Sequence, residues 1–264
     1  MNEIEGDDKM NPGRETTPSS CHLFDYAQNK TFLSSSYHSI CAVIFDIDGT
    51  LVDIHRILNS ALSETGQEIG RLFGRAFTAA ELQQIRNEVS GEPQFASARL
   101  EEKRRESFRR ALQLVNDVDG AHLDPICDFF FERRFATCYI YPDVMPTLEA
   151  LRGMGLTVVA ASNGNSYLAG TPLAGLLDAT FHADDLGVKK PNSHFYAAVA
   201  EKIGLLPSQV LHVGDSFEND YEGPRPLGME SILLCRTTKN CPGLLRTVDT
   251  LTEIPELISQ LYTQ

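Results

Sequence analysis

The chain has 264 residues, with 23 Lys and Arg against 36 Asp and Glu and a net charge of −13. That balance argues against nucleic acid or an anionic membrane as the main partner, because both require a basic contact surface. At 42% apolar and 22% charged the composition is that of a globular protein, and no apolar run approaches the roughly 20 residues of a membrane span.

In chain order, residues 1–39 are polar and rich in Ser, Thr, Asn and Pro, which predicts a mostly disordered extension with a short ordered piece near Leu23 to Tyr26. They lack a basic region followed by an apolar core. Glu3, Glu5, Asp7, Asp8 and Glu15 do not suit an acid-poor transit peptide. The six cysteines form no CxxC pair, which predicts reduced thiols, and a cytoplasmic location is the default expectation.

From Cys41 short apolar runs predict buried strands: CAVIF (41–45), LTVVAA (156–161), ATFH (179–182), QVLHV (209–213) and SILLC (231–235). Helical segments separate the last four, one of them opening at Asn192 and stopping at Gly204 and another filling 253–262. Strands alternating with helices predict an α/β fold, a Rossmann-like doubly wound parallel sheet. The interval 55–138 breaks the rhythm and reads as helix, with a capping box at Thr78-x-x-Glu81 and Asp124-Pro125 at another helix start. It is far longer than a crossover needs, so it is expected to be an inserted helical cap, leaving 40–54 and 139–264 as the core.

In an open parallel sheet, ligands bind beyond the carboxyl ends of the strands. The chemistry-bearing residues fall there four times. The first strand ends in Asp46-Ile47-Asp48-Gly49-Thr50, the second in Ser162-Asn163-Gly164. GVKKP carries Lys190, and the QVLHV strand runs into GDSFEND with Asp215, Asn219 and Asp220. Each piece alone is an ordinary turn or helix entry; four at consecutive strand ends build one pocket. Two unit charges about 4 Å apart repel by around 4 kcal/mol at an effective dielectric near 20. A cluster of Asp46, Asp48, Asp215 and Asp220 is tolerable around a hard cation such as Mg²⁺. Lys190 adds positive charge, and Ser162 and Asn163 offer a hydroxyl and N–H groups to an anion. The arrangement describes a phosphate ester held against Mg²⁺, with one carboxylate free to attack phosphorus and another to move protons.

FDIDGTLVD, AASNG, GVKKP and HVGDSFEND resemble the four motifs of the haloacid dehalogenase-like hydrolase superfamily, over about 41–262. The resemblance implies a phosphatase with a helical cap of the C1 type. It implies Asp46 as nucleophile and Asp48 as general acid/base with its backbone carbonyl on Mg²⁺. Asp215 and Asp220 would be metal residues, with Gly49, Thr50, Ser162, Asn163, Gly164 and Lys190 around the phosphoryl group. Asn192 and Ser193 replace the acidic residue and proline usual after Lys-Pro, and PRPLGM (224–229) carries a proline where small residues are more usual. The expected partner is a small phosphorylated metabolite, with no nucleic acid or membrane, bound by a monomer or homodimer. A haloacid dehalogenase or phosphomutase of the same superfamily is the alternative, and a receiver-like phospho-aspartate domain is the alternative of another class. The run EEKRRESFRR (101–110) reads as a solvated helix face, His55 and Arg56 as lying just past the first motif, Phe129 to Phe131 as cap core, and His194 and His212 as structural.

Overall fold

The computed structural model describes residues 39–136, 138–166, 168, 170–236 and 246–262. The expected N-terminal extension lies outside the described residues, apart from its last position.

Six parallel strands form one sheet in the order β3-β2-β1-β4-β5-β6. They are β1 (Ala42–Phe45), β2 (Thr157–Ser162), β3 (Ala179–His182), β4 (Val210–Gly214), β5 (Glu230–Leu234) and β6 (Thr247–Val248). Five match the apolar runs to within a residue or so; β6, two residues long, leaves no periodic signal. The apolar strands are buried on both faces, as a parallel sheet covered by helices requires. On one face Val43, Phe45, Val158, Ala160, Leu211 and Val213 pack in a common core with residues of Val144–Gly153 and Ile254–Tyr262. On the other, Ile44, Val159 and Val210 meet Phe195, Tyr196 and Val199 of Ser193–Lys202. Asn192 caps that last helix by accepting from the His194 N–H, as the sequence predicts.

The first strand continues into a tight turn. Ile47 O accepts from the N–H groups of Leu51 and Val52, and the Gly49 N–H donates back to Val52 O at 2.8 Å. Asp53 then caps the helix α1 (Ile54–Phe73), accepting from the Arg56 N–H at 2.9 Å. Three more helices follow, α2 (Ala79–Gly91), α3 (Leu100–Gln113) and α4 (Leu123–Ala136). They share an apolar core of their own, with Leu62, Ile69, Leu82, Phe108, Leu112 and Phe130 at its centre. The capping box at Thr78 and Glu81 is present. Asp124 and Pro125 sit inside the first turn of α4, which starts one residue before the expected cap.

The chain leaves and re-enters the sheet region through a narrow neck. Val52 bridges antiparallel to Ile140, with Asp53 N–H to Tyr139 O at 2.8 Å and Tyr141 N–H to Leu51 O at 3.2 Å.

Two expectations are corrected. Cys235, at the end of β5, is disulfide-bonded rather than reduced, a pairing that linear spacing does not reveal; Cys127 and Cys138 keep free thiols. The 101–110 run is not a uniformly solvated face: Arg104, Ser107 and Phe108 are buried, because α3 turns that stripe into the insert's core. No helix among the described residues is long and apolar enough to cross a membrane.

Candidate active site

The strand order places β1 between β2 and β4, so successive connections run to opposite sides of the sheet from there. That is the switch point at which an open α/β sheet leaves a crevice. Asp46 follows β1 and its N–H donates to Val213 O at 2.9 Å, extending the ladder by one residue. Asp215 and Asp220 follow β4. Carboxylate oxygens of Asp46, Asp215 and Asp220 lie within 4.8 Å of one another. Lys190 Nζ reaches into the group, donating to Asp46 Oδ1 at 2.7 Å and to Asp220 Oδ1 at 2.8 Å, and it is 3% exposed.

Asp220 is fixed by a wide helical turn, Phe217–Glu222, of the kind that often marks functional sites. Its Oδ2 accepts from the Ser216 N–H at 3.0 Å and its Oδ1 faces His212 Nε2 at 3.0 Å. His212, read from sequence as structural, is therefore buried against Asp220, and the same burial lowers its pKa. Asn219 points elsewhere: its side chain donates to Ser216 Oγ and its carbonyl accepts from Tyr196 OH.

Electrostatically these carboxyls divide. Burial pushes Asp46 up to about 8; Lys190 opposes the rise and Asp220 and Asp48 add to it. Asp220 is as deeply buried, but Lys190 and His212 overcome the desolvation and hold it below the usual carboxylate range. One ammonium between two acids stabilises one negative charge fully, and the second carboxyl takes the penalty. Asp215 is pushed up to about 6, first by its surroundings and then by Asp220. Lys190 itself stays a firm cation, its pKa raised against the cost of burial by Asp220 and Asp46.

Asp48 stands apart. Its side chain is not in the three-carboxylate group; its Oδ1 accepts from Ser166 Oγ at 2.5 Å. The one-residue offset along an extended turn sends the two side chains in different directions, so the expected four-carboxylate set becomes three plus one. Gly49 makes the turn with φ of +94°, and a Cβ there would lie 2.4 Å from Asp215 Oδ2. Gly164 is the matching close approach from β2: a Cβ there would sit 2.1 Å from Asp48 Oδ2.

The remaining candidates hold the frame. Ser162, 1% exposed, accepts from the Gly164 N–H at 2.9 Å. The Asn163 amide pairs with the backbone of Lys190 both ways, donating to its carbonyl at 2.9 Å and accepting its N–H at 2.8 Å. Its side chain is thus committed to the lysine rather than offered to an anion. Thr50 is fully buried, its hydroxyl without a hydrogen-bond partner among the described residues and its carbonyl accepting from Arg236 at 2.8 Å. Asp143 holds that arginine through both of its guanidinium NH₂ nitrogens. His55 is exposed, and Arg56 stacks on Tyr139 with its guanidinium 4.0 Å from the ring centre. Sequence reasoning missed Ser166, Asn165, Arg134 and Arg236. Asn165 accepts from Arg134 of α4 at 2.7 Å and donates to Glu101 of α3 at 3.0 Å, tying the loop after β2 to the helical insert. Asn165 and Ser166 adjoin the Ser162-Asn163-Gly164 motif, whereas nothing local pointed to Arg134 or Arg236.

Three carboxylates, all hard oxygen donors, gathered where burial and the neighbouring acids push two of them toward protonation, suit a divalent cation.

The sequence pattern of the haloacid dehalogenase-like hydrolases matches residues 40–228, from two residues before β1 to two residues before β5. The chain belongs to this hydrolase family. Among relatives, this hydrolase is 28% identical to the phosphatase MT3486 of Mycobacterium tuberculosis, over 81% of this chain and 95% of that one. It is 31% identical to the glyceraldehyde 3-phosphate phosphatase of Methanopyrus kandleri over 112 residues, 40% of this chain and 48% of that protein, about half the relative's length. Among solved structures it is similar to the 2-haloacid dehalogenase of Pseudomonas syringae pv. Tomato DC3000, with a TM-score of 0.66 and 27% identity over 84% of this chain and 99% of the other.

Proposed function

We propose that this hydrolase is a Mg²⁺-dependent phosphatase acting on a small phosphomonoester through an aspartyl-phosphate. The observation that carries the reading is the three-plus-one arrangement: Asp46, Asp215 and Asp220 gathered on Lys190, with Asp48 turned away from them and held by Ser166. Displacing halide from carbon needs a nucleophilic carboxylate but no second acid, so Asp48 favours the phosphate ester. Asp46, Asp215 and Asp220 would hold Mg²⁺, together with the Asp48 backbone carbonyl. When bound, the ion supplies the positive charge that keeps Asp46 and Asp215 ionised and offsets the phosphoryl charge.

Asp46 attacks phosphorus, and the bond to the ester oxygen breaks. Asp48, protonated, gives its proton to the departing alkoxide. A water molecule then attacks the aspartyl-phosphate, losing its proton to Asp48, and phosphate leaves with both residues restored. Lys190 spans the nucleophile and the phosphoryl oxygens, and Asn163 holds that lysine in register. Acid–base assistance of this kind is typically worth about 10²–10⁴-fold. The four-helix insert serves as a cap, sheltering the acyl phosphate from bulk water and admitting small substrates only.

The test is paired. Release of phosphate from p-nitrophenyl phosphate, dependent on Mg²⁺ and abolished by EDTA, is expected, together with no halide release from 2-chloropropionate. Halide release without phosphate release would reverse the assignment in favour of the dehalogenase.

A further inference from the structure

Among the described residues, several arginines of the helical insert form no ion pair with a carboxylate, and three of them line one cavity. The other arginines of α3 near this stripe are neutralised: Arg105 pairs with Asp124, Arg109 with Glu106, and Arg110 with Glu92 and Glu106. Arg86 of α2, Arg104 of α3 and Arg134 of α4 form no ion pair among the described residues. Arg104 is the most exceptional. It is 6% exposed, one guanidinium nitrogen donates to Gln83 Oε1 at 2.9 Å, and its Nη1 is buried with no hydrogen-bond partner. Its plane is held 5.2 Å from the centre of the Phe130 ring. A buried guanidinium is normally matched by a carboxylate, because an unpaired buried charge is strongly destabilising.

All three arginines line one cavity of about 80 Å³, with Phe130, Phe131 and Asn165. Among the described residues on its wall the one carboxylate is Glu101, which Asn165 engages. Arg134 also lines a second cavity, about 240 Å³, whose wall includes Ser166, the residue bonded to Asp48. Arg134 thus links the arginine cavity to the one beside Ser166, the residue that holds Asp48. Arg134 is electrostatically linked to Asp48, and burial with Arg86 and Arg134 nearby pulls Arg104 down to about 10.

We propose that Arg104 and Arg134, backed by Arg86, receive a second oxyanion on the substrate, so that this hydrolase selects phosphomonoesters whose alcohol carries a carboxylate or a further phosphoryl group. The inference rests on the phosphatase reading for the reaction, but the anion site stands on its own geometry. A ligand of this class supplies the missing countercharge and the acceptor that Nη1 lacks.

Equilibrium titration of Asp46→Asn with Mg²⁺ measures binding without turnover. The probes are phosphoglycolate for the carboxylate, fructose 1,6-bisphosphate for the second phosphoryl group, and ethyl phosphate with no second anion. At least one of the first two should bind at least tenfold more tightly than ethyl phosphate, and which one does so identifies the anion. Arg134→Gln, half-buried and tolerable, should cut that advantage at least fivefold, and Arg104→Gln likewise. Arg104→Lys, which keeps the charge, serves where the glutamine variant melts early. Arg109→Gln, on the outer face of α3, controls for net charge and should leave the advantage intact. Equal affinities, no binding of any probe, or an advantage that survives in both arginine variants would overturn the site. Phosphate release by the unsubstituted protein is assayed alongside. Hydrolysis without an anion preference removes only the arginine site, whereas a charge-dependent preference in a protein that hydrolyses no ester removes only the phosphatase reading.

Discussion

Replacing Gly164 by alanine perturbs Asp48 without altering any ionisable group. The new Cβ would meet Asp48 Oδ2 at 2.1 Å, where ordinary contact begins at 3.4 Å, so the oxygen must retreat by about 1.3 Å. The obstacle is the far end of a side chain rather than backbone, and Gly164 does not use the left-handed region, so the fold can absorb the change. Losing a glycine also reduces the freedom of the unfolded chain, a gain of about 0.4–1 kcal/mol against the local strain. A net change within about 1 kcal/mol moves Tm by only roughly 2–4 °C for a chain of this size. Activity should respond very differently. A displacement near 1 Å at a reacting group can cost about 10²-fold, and complete loss of the acid about 10²–10⁴-fold. Gly164→Ala should therefore melt near the parent temperature while kcat with p-nitrophenyl phosphate falls at least 100-fold. Retention of more than half the parental kcat would show that Asp48 need not stand where Ser166 holds it. A large drop in Tm would show that backbone, not the carboxylate, gives way.

Asn163→Ala removes both hydrogen bonds to the Lys190 backbone. A loss of roughly 1–3 kcal/mol in chemical denaturation is expected with a lower kcat, and unchanged kinetics would exclude a positioning role. Phe130→Ala empties the centre of the insert's core, where Phe130 is 1% exposed, and should cost about 3–5 kcal/mol; a loss under about 1 kcal/mol would mean that this core contributes little. The pH dependence has a definite sign. Folded Asp46 and Asp215, raised to about 8 and about 6 from 3.8, keep protons that the unfolded chain releases. Their contribution to the metal-free protein is thus full below about pH 4 and lost as pH rises through 6 to 8; depressed Asp220 acts oppositely, contributing above 3.8. Because the ion displaces those protons, the rise in Tm produced by a fixed Mg²⁺ concentration should grow from about pH 5.5 to 8.5, and a flat profile would contradict the assigned ligands.

What the sequence disclosed follows from what is local. Strands such as Ala42–Phe45 and Val210–Gly214 are continuous apolar runs stopped by polar turns, so their existence and nearly their bounds are written in consecutive residues. The carboxylates were legible because each ends a strand, and the sheet order then brings the ends together. Side-chain commitments were not. That Asn163 serves the Lys190 backbone, that Ser166 binds Asp48, and that Arg104 is buried against Gln83 depend on contacts 27, 118 and 21 positions apart. No periodicity encodes such pairings. The 101–110 run misleads for the same reason: its composition is that of a solvated surface, and only the angle of α3 against α2 and α4 turns one arginine inward.

The neck at Val52 and Ile140 also bears on how the sheet assembles. Before β1 can pair with β2, the 111 residues between them must be brought back on themselves, and for a floppy loop that closure grows dearer with length. An insert that collapses on its own apolar centre and presents its two ends side by side takes residues 55–138 out of that loop and leaves roughly 27, a difference of roughly 1 kcal/mol in closure free energy. The helices then act in time as well as in space. They bring the pairing of β1 with β2 nearer to a local one, so a unit inserted between two strands helps to join them.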